Sequence, residues 1–154
     1  PGPIARAFEG ASRAGHIEGE LTGVRRLFDV TGPCAAYFGE KDAQQLFLVR
    51  RMVEHDRLPV EVVACPTVRE PDGLACSSRN ARLSPAEREQ AGCLFLALSE
   101  AAELARAGEP DPGVLVAAMA REVGATPLAR LDYATVVDDR GAGYRSPRAP
   151  REPR

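Results

Sequence analysis

The chain lacks tryptophan, and only 5% of its 154 residues are aromatic. Neither charge dominates, because 20 Lys and Arg residues are set against 22 Asp and Glu residues, for a formal net charge of −2. A chain with this balance has no general attraction to nucleic acids or to anionic lipid surfaces. No apolar run approaches the roughly 20 residues that a membrane-spanning helix needs, and no signal-like segment opens the chain. We therefore expect neither a nucleic-acid partner nor a membrane partner.

Closely spaced cysteine pairs are absent as well. No two of the four cysteines have the C-x-x-C spacing of a structural zinc site: Cys34, Cys65, Cys76 and Cys93. Scattered cysteines with mostly apolar neighbours are typical of reduced thiols, so we expect a cytoplasmic protein without a bound structural metal. The two histidines, His16 and His55, are too far apart in the sequence to suggest a ligand pair.

What the chain does contain is a strand–helix–strand pattern. Residues 34–38 and 60–65 are short apolar segments with the length of buried strands. The segment between them has apolar side chains at helical spacing, and Asp42 is placed to cap this helix. An earlier amphipathic stretch, residues 17–30, predicts another helix. The pattern indicates a parallel sheet with both strands buried on two faces, in which ligands bind beyond the carboxyl ends of the strands.

The second half of the chain has a different pattern. Ser84-Pro85-Ala86-Glu87 has the sequence of a capping box and predicts one helix that continues to Gly108. Asp111-Pro112 begins a further helix, and residues 131–137 have the composition of a strand. This order predicts a small α+β domain. The last residues are rich in Arg, Pro and Gly and are expected to be disordered.

Two loops carry side chains that suit a polyphosphate. The first, residues 39–42, follows a predicted strand and is called the lysine loop; it places Lys41 between two carboxylates at the start of a helix, where anions are favoured. The second, residues 76–80, is called the serine loop and holds two hydroxyls and a guanidinium in a row. A surface ion pair at Lys41, and ordinary turn residues in the serine loop, are the alternatives that spacing alone leaves open. Either Gln44 or Gln45 could bind a substrate from the same helix end.

Taken together, these motifs resemble the pantothenate synthetase family, the pantoate–β-alanine ligases. The similar segments, with x at a position that does not match, are Glu9-Gly10, Arg13-x-Gly15-His16, Phe38-Gly39-Glu40-Lys41-Asp42-Ala43-Gln44-Gln45 and Pro66-Thr67-Val68-Arg69-Glu70-Pro71-Asp72-Gly73-Leu74-Ala75-x-Ser77-Ser78-Arg79-Asn80. Leu83-Ser84-Pro85 and Leu131-Asp132-Tyr133 look like later landmarks of the family. The similarity is expected to cover residues 1–137.

The resemblance implies a fold and an activity. The fold would be α/β: the C-terminal part of a Rossmann-like nucleotidyltransferase domain over residues 1–66, a small α+β domain over residues 67–138, and a disordered tail over residues 139–154. The activity would be the ATP-dependent condensation of pantoate with β-alanine to pantothenate through a pantoyl-adenylate, with Mg²⁺ assisting. The alternative is a non-catalytic remnant or nucleotide-binding module of the same fold. A dinucleotide-binding dehydrogenase is not favoured, because no G-x-G-x-x-G follows a predicted strand.

The resemblance also implies roles for individual residues. An ATP site would be formed by Gly39, Glu40, Lys41, Asp42, Val68, Cys76, Ser77, Ser78 and Arg79. Four of them would be catalytic, because they would stabilise charge that develops on the phosphates: Lys41, Ser77, Ser78 and Arg79. Gln45 would hold pantoate.

The chain also departs from the family pattern. It lacks the family's H-x-G-H motif and an early glutamine, and Ala14 and Cys76 stand where proline and Met or Leu are usual. Residues 140–154 do not resemble the usual C-terminal end. These departures predict an incomplete family member. Its partner would be a second copy or a complementing N-terminal portion. The isolated chain would be marginally stable.

Overall fold

The computed structural model describes residues 3–138. The chain divides into two compact units, Pro1–Val68 and Arg69–Arg154. The predicted disordered tail, residues 139–154, lies outside the described residues. The assignment of the two units to a partial nucleotide-binding domain and a small α+β domain stays a prediction.

The first unit contains the predicted strand–helix–strand pattern. Its elements in chain order are a 3-10 helix (Pro3–Arg6), α1 (Glu9–Ser12), α2 (His16–Thr31), β1 (Cys34–Gly39), a 3-10 helix (Glu40–Asp42), α3 (Ala43–His55) and β2 (Val60–Cys65). The strands pair in parallel, with Cys34 opposite Val60 and Gly39 opposite Cys65. The α/β class and the parallel pairing are therefore confirmed.

The core of the first unit lies between helices α2 and α3 and one face of the two strands. Its buried members include Ile17, Leu21, Phe28, Leu48 and Val49, and strand residues such as Ala36 and Val62 pack against them. The rings of Phe28 and Phe38 meet edge to face, with centroids 6.5 Å apart. The apolar stripe predicted for α2 thus packs only in part as expected, because Leu21 and Phe28 are buried while Leu27 is 63% exposed.

The opposite face of β1 is open. Burial alternates along the strand, and Tyr37 is 70% exposed. In the part of the chain that the structure describes, the sheet has two strands, and α2 and α3 supply the helical side of its core. The expectation that both strands are buried on two faces is therefore wrong for β1.

The second unit is mainly helical. Its elements are a 3-10 helix (Ser78–Arg82), α4 (Pro85–Gln90), α5 (Cys93–Arg106) and α6 (Pro112–Gly124). The predicted capping box is confirmed, because Ser84 Oγ accepts from the Glu87 amide at 3.3 Å and the Glu87 carboxylate accepts from the Ser84 amide at 2.8 Å. Small residues let α5 and α6 approach closely around a core of Ala97, Ala101, Leu115, Val116, Met119 and Val123.

The single helix predicted from Ser84 to Gly108 is wrong, because the chain turns at Ala91-Gly92 and forms α4 and α5 instead. Gly92 lies against the turn that contains Asp72: a Cβ at this position would be 3.3 Å from the Asp72 carbonyl oxygen. Glycine is also a weak helix former, so local propensity and the nearby Asp72 carbonyl both favour a break between α4 and α5 here.

The strand predicted for residues 131–137 is also absent from the described structure, where the segment is largely irregular. Its apolar side chains Leu131, Ala134 and Val136 pack against the α5–α6 core. Burial against α5 and α6 therefore accounts for the apolar residues of this segment, and no strand is formed within residues 131–137.

Candidate functional site

The lysine loop continues directly from β1. Gly39 ends the strand in extended backbone, and Glu40–Asp42 form one 3-10 turn before α3. Lys41 Nζ donates to Asp42 Oδ1 at 3.3 Å, with the two side chains 35% and 61% exposed. The surface ion pair considered from the sequence therefore exists. Exposed pairs of this kind contribute only about 0.2–1 kcal/mol, so a phosphate could replace the Asp42 carboxylate.

Asp42 does not cap α3, contrary to the expectation. It occupies the N-cap position, but its side chain makes no hydrogen bond to the first turn of the helix. Its carboxylate faces Lys41 instead. The positive end of the α3 dipole thus lies beside the lysine without a side-chain cap, an arrangement that favours an anion.

The paired amides at the start of α3 have different roles. Gln44 Nε2 donates to the carbonyl oxygens of Ile4 at 2.8 Å and Ala7 at 3.0 Å, and its Oε1 accepts from the Glu9 amide at 3.2 Å. These bonds fasten the N-terminal segment to α3, so Gln44 is engaged in the fold. Gln45 is half-buried, and its side-chain amide makes no hydrogen bond within residues 3–138. Of the two candidates, Gln45 is the one whose amide remains available to a substrate.

The serine loop is shaped by two local hydrogen bonds. Ser77 Oγ accepts from the Arg79 amide at 3.2 Å, and Asn80 Nδ2 donates to the Ala75 carbonyl at 3.0 Å. Ser78 and Arg79 are exposed. Within the described part of the chain, no hydrogen bond or ion pair engages the Arg79 guanidinium. The loop therefore presents a cation and a hydroxyl to solvent on a fixed backbone.

Cys76, the first residue of the serine loop, is exposed and donates to Glu70 Oε1 at 3.5 Å. Local desolvation, followed by the Glu70 carboxylate, raises the pKa of the Cys76 thiol. Because the thiolate is the nucleophilic form, this environment does not suit covalent catalysis.

A tight turn precedes the serine loop and is called the Asp72 turn (residues 69–75). Arg69 and Ala75 form an antiparallel bridge, and the Glu70 amide donates to the Leu74 carbonyl at 2.8 Å. Asp72 is paired with Arg88 on α4. The hydrogen bond from Arg88 lowers the pKa of Asp72. Sequence reasoning missed this pair, because its spacing matches no local pattern and only the tertiary fold brings it together.

The predicted site residues fall into two sets. Gly39, Glu40, Lys41, Asp42 and Gln45 lie together around the end of β1, and Val68, 71% exposed, is the last residue of the first unit. Cys76, Ser77, Ser78 and Arg79 lie together in the second unit. The second unit also has an open depression of about 500 Å³, but the residues that line it, among them Glu89, Gln90 and Thr126, include none of these candidates.

Two further findings concern residues 3–138. No three His, Cys, Asp or Glu side chains among them are grouped as a metal site. None of their helices combines the length and the apolar character needed to cross a membrane.

Comparisons with known proteins agree with the motifs. The sequence model of the family described as pantoate-beta-alanine ligase matches residues 1–149. The match continues past residue 137, so the resemblance extends further than expected. A pantothenate synthetase of Roseiflexus sp. (strain RS-1) is 54% identical over 137 residues, which are 89% of this chain and 49% of that protein. A pantothenate synthetase of Acidothermus cellulolyticus is 53% identical over 138 residues, 90% of this chain and 45% of that protein.

Solved structures are similar as well. The pantothenate synthetase from Thermus thermophilus has a TM-score of 0.85 and 46% identity, over 92% of this chain and 51% of that one. The pantoate-beta-alanine ligase from Francisella tularensis, solved in complex with beta-gamma ATP and beta-alanine, has a TM-score of 0.58 and 34% identity, over 78% of this chain and 44% of that one. The chain thus spans about half the length of the relatives it matches. With its family match over residues 1–149, the chain belongs to the pantoate–β-alanine ligase family.

Proposed function

We propose that this chain is the ATP-handling part of a pantoate–β-alanine ligase, which condenses pantoate with β-alanine to pantothenate through a pantoyl-adenylate. The observation that carries the proposal is the exposed serine loop, in which Arg79 has no ion-pair partner among the described residues, in a chain that the family model matches over residues 1–149. A guanidinium and hydroxyls on a fixed backbone are suited to phosphate oxygens.

The phosphate contacts would come from both loops. Lys41 exchanges the Asp42 carboxylate for a phosphate oxygen, while Ser77, Ser78 and Arg79 bind the phosphates from the serine loop. The remaining ATP contacts in this proposal come from Gly39, Glu40, Asp42, Val68 and Cys76. Preorganised cations of this kind stabilise the charge that develops on the phosphates as the reaction proceeds.

The substrates supply the reacting groups. The pantoate carboxylate attacks the α-phosphorus and pyrophosphate leaves; the β-alanine amine then attacks the acyl carbon of the adenylate and AMP leaves. No side chain has to act as a nucleophile, which agrees with the raised pKa of Cys76. Gln45 orients pantoate through its unengaged amide, so that much of the rate comes from holding the reactants in line.

Magnesium enters this proposal with the nucleotide. Mg²⁺ usually keeps several waters and is held by one or two carboxylates together with substrate phosphates. The exposed carboxylates of Glu40 and Asp42, beside the lysine, are the side chains of the lysine loop that fit such a role.

The partners and location are part of the proposal as well. Because the chain spans about half of its relatives, activity would require a complementing N-terminal portion, with a homodimer as the other arrangement. The cytoplasmic location rests on the four cysteines, all of them free thiols in the structure.

Titration of MgATP into the chain tests the binding step. We expect the double variant Lys41→Ala with Arg79→Ala to bind MgATP at least about tenfold more weakly than wild type, because two charge-assisted contacts are lost. The matched control is Arg26→Ala with Arg106→Ala, which removes one exposed arginine from each unit and should leave the affinity unchanged. Equal affinities of wild type and the Lys41 and Arg79 variant would contradict the proposal.

A second candidate, a nucleotide-binding module without activity, is favoured by the length of the chain alone. AMP release from ATP, pantoate and β-alanine separates the two. We expect release when the portion of the Roseiflexus relative that this chain does not span is supplied as a separate polypeptide. ATP binding without AMP release in that mixture would favour the module.

A further inference from the structure

The Asp72 turn and the serine loop form one continuous piece of backbone. The turn closes on itself through Arg69 Nη1, which donates to the Gly73 carbonyl at 3.0 Å, and through the Gly73 amide, which donates to the Glu70 carbonyl at 2.9 Å. Its last residue, Ala75, accepts from Asn80 Nδ2 at the far end of the serine loop. The position of the serine loop is therefore set by the position of the turn.

Two helices hold this turn. From α4, Arg88 pairs with Asp72, and its second nitrogen donates to Asp72 Oδ1 at 3.3 Å. The same Oδ1 accepts from the Leu74 amide at 3.2 Å, so the carboxylate is held in one orientation by the turn and the helix together. The directionality of such a fork-shaped contact fixes geometry as well as adding energy.

The second contact comes from α5. The Phe95 ring lies under the guanidinium of Arg69, with the central carbon 4.8 Å from the ring centroid. The ring also lies directly against Gly73, where an added Cβ would be 2.1 Å from Phe95 Cδ1. Gly73 and Leu74 are buried at this contact. Between the two helices, Gly92 faces the Asp72 carbonyl oxygen, which an added Cβ would approach to 3.3 Å.

The serine loop makes few contacts of its own. Ser78 and Arg79 are exposed, and the hydrogen bonds recorded for its side chains are local. We propose that Arg88 and Phe95 are positioning residues that hold the Asp72 turn and thereby aim Ser77, Ser78 and Arg79 at the β- and γ-phosphates of ATP. This inference rests on the proposed function. Neither residue touches the nucleotide; both act through the turn, because a site is only as precise as the shell that supports it.

Affinities for two nucleotides test the proposal in the full chain. AMP lacks the β- and γ-phosphates, so a misplaced serine loop weakens MgATP binding and spares AMP binding. We expect Arg88→Gln and Phe95→Leu each to weaken MgATP about fivefold and to change AMP affinity less than about twofold. Arg88→Lys should recover part of the MgATP affinity. The control Arg106→Gln removes an exposed charge from the end of α5 and should change neither the MgATP affinity nor the AMP affinity.

A double-mutant cycle identifies the route of the effect. Asp72→Asn is isosteric and keeps the acceptor for Leu74, so we expect the variant to fold and to weaken MgATP as Arg88→Gln does. The double variant Asp72→Asn with Arg88→Gln should be no weaker than either single variant, because all three break one contact. Additive losses would show that Arg88 acts elsewhere and would overturn the proposal.

Other results of these measurements distinguish a failure of the positioning role from a failure of the proposed function. If Arg79→Ala weakens MgATP while Arg88→Gln and Phe95→Leu leave the ratio of MgATP to AMP affinity unchanged, the proposed function stands and the positioning role is wrong. If wild type binds no MgATP, or Arg79→Ala has no effect, the proposed function fails and the inference fails with it. Loss of the thermal transition in Asp72→Asn would make the pair a requirement for folding and would also overturn the positioning role.

Discussion

At the scale of single residues, Gly73 combines two constraints that only glycine satisfies. Its φ is +87°, in the left-handed region, and its α-carbon lies against the Phe95 ring. We expect Gly73→Ala to destabilise the second unit by about 2–4 kcal/mol, from the backbone conformation and the overpacking together. Thermal unfolding followed by circular dichroism measures this. Gly108→Ala is the control, because Gly108 has a φ of +95° with nothing within 4 Å and so reports the backbone term alone. Equal losses in the two variants would show that the Phe95 contact adds nothing.

The candidate site was predictable residue by residue only where chemistry and sequence position coincide. Lys41 stands out because it lies between two carboxylates just after a predicted strand, and Arg79 stands out because it follows two serines. The different roles of the Gln44 and Gln45 side chains could not be predicted, because they depend on the N-terminal segment that Gln44 binds. The failure of Asp42 to cap α3 has the same origin: a neighbouring lysine competes for its carboxylate. Local sequence identifies the groups, and tertiary neighbours decide how each is used.

At the scale of elements, the capping box of α4 makes stability depend on pH. Hydrogen bonds with Ser84 lower the pKa of Glu87. When the pKa of a carboxyl group is lower in the folded state, its ionised form stabilises the fold. This stabilisation is present above the ordinary glutamate pKa of about 4.3 and is lost as the pH falls through the pKa of the folded state. We expect Glu87→Gln to melt below wild type at neutral pH, with the difference disappearing as the pH falls through the lowered pKa of Glu87. Glu89→Gln, on the same helix, is the control. A difference that persists at low pH would exclude this origin.

Elements with complete local signals were predicted well. The strands, the two amphipathic helices of the first unit, the capping box and α6 each have periodicity or cap residues that need no distant partner. The single helix from Ser84 to Gly108 was wrong because Gly92 meets a turn that is distant in sequence. The strand predicted for residues 131–137 was wrong because apolar side chains buried against α5 and α6 give an irregular segment the composition of a strand. The pattern reports burial, and the partner determines the secondary structure.

At the scale of the whole molecule, the two units differ in how their cores are built, although exposed large apolar side chains occur in both. In the first unit, Leu27, Val30 and Tyr37 are 63%, 85% and 70% exposed, and the sheet has two strands in the described residues. A two-stranded sheet with an open face is marginally stable, and its edges offer unpaired backbone groups. In the second unit, α5 and α6 bury a contiguous core of small and branched residues.

We therefore expect the amides of β1 and β2 to exchange hydrogen at least about tenfold faster than those of α5 and α6, which corresponds to an opening free energy lower by about 1.4 kcal/mol. Hydrogen exchange of the monomer at low concentration measures both units in one sample. Adding the portion of a relative that this chain does not span should slow exchange in β1 and β2 and leave α5 and α6 unchanged, because the proposed complementing portion would cover the open face of β1. Equal, strong protection of both units in the monomer would mean that the first unit is stable without such cover. In that case the exposed side chains of α2 and β1 would be ordinary surface residues, and the complementing N-terminal portion would lose its structural reason.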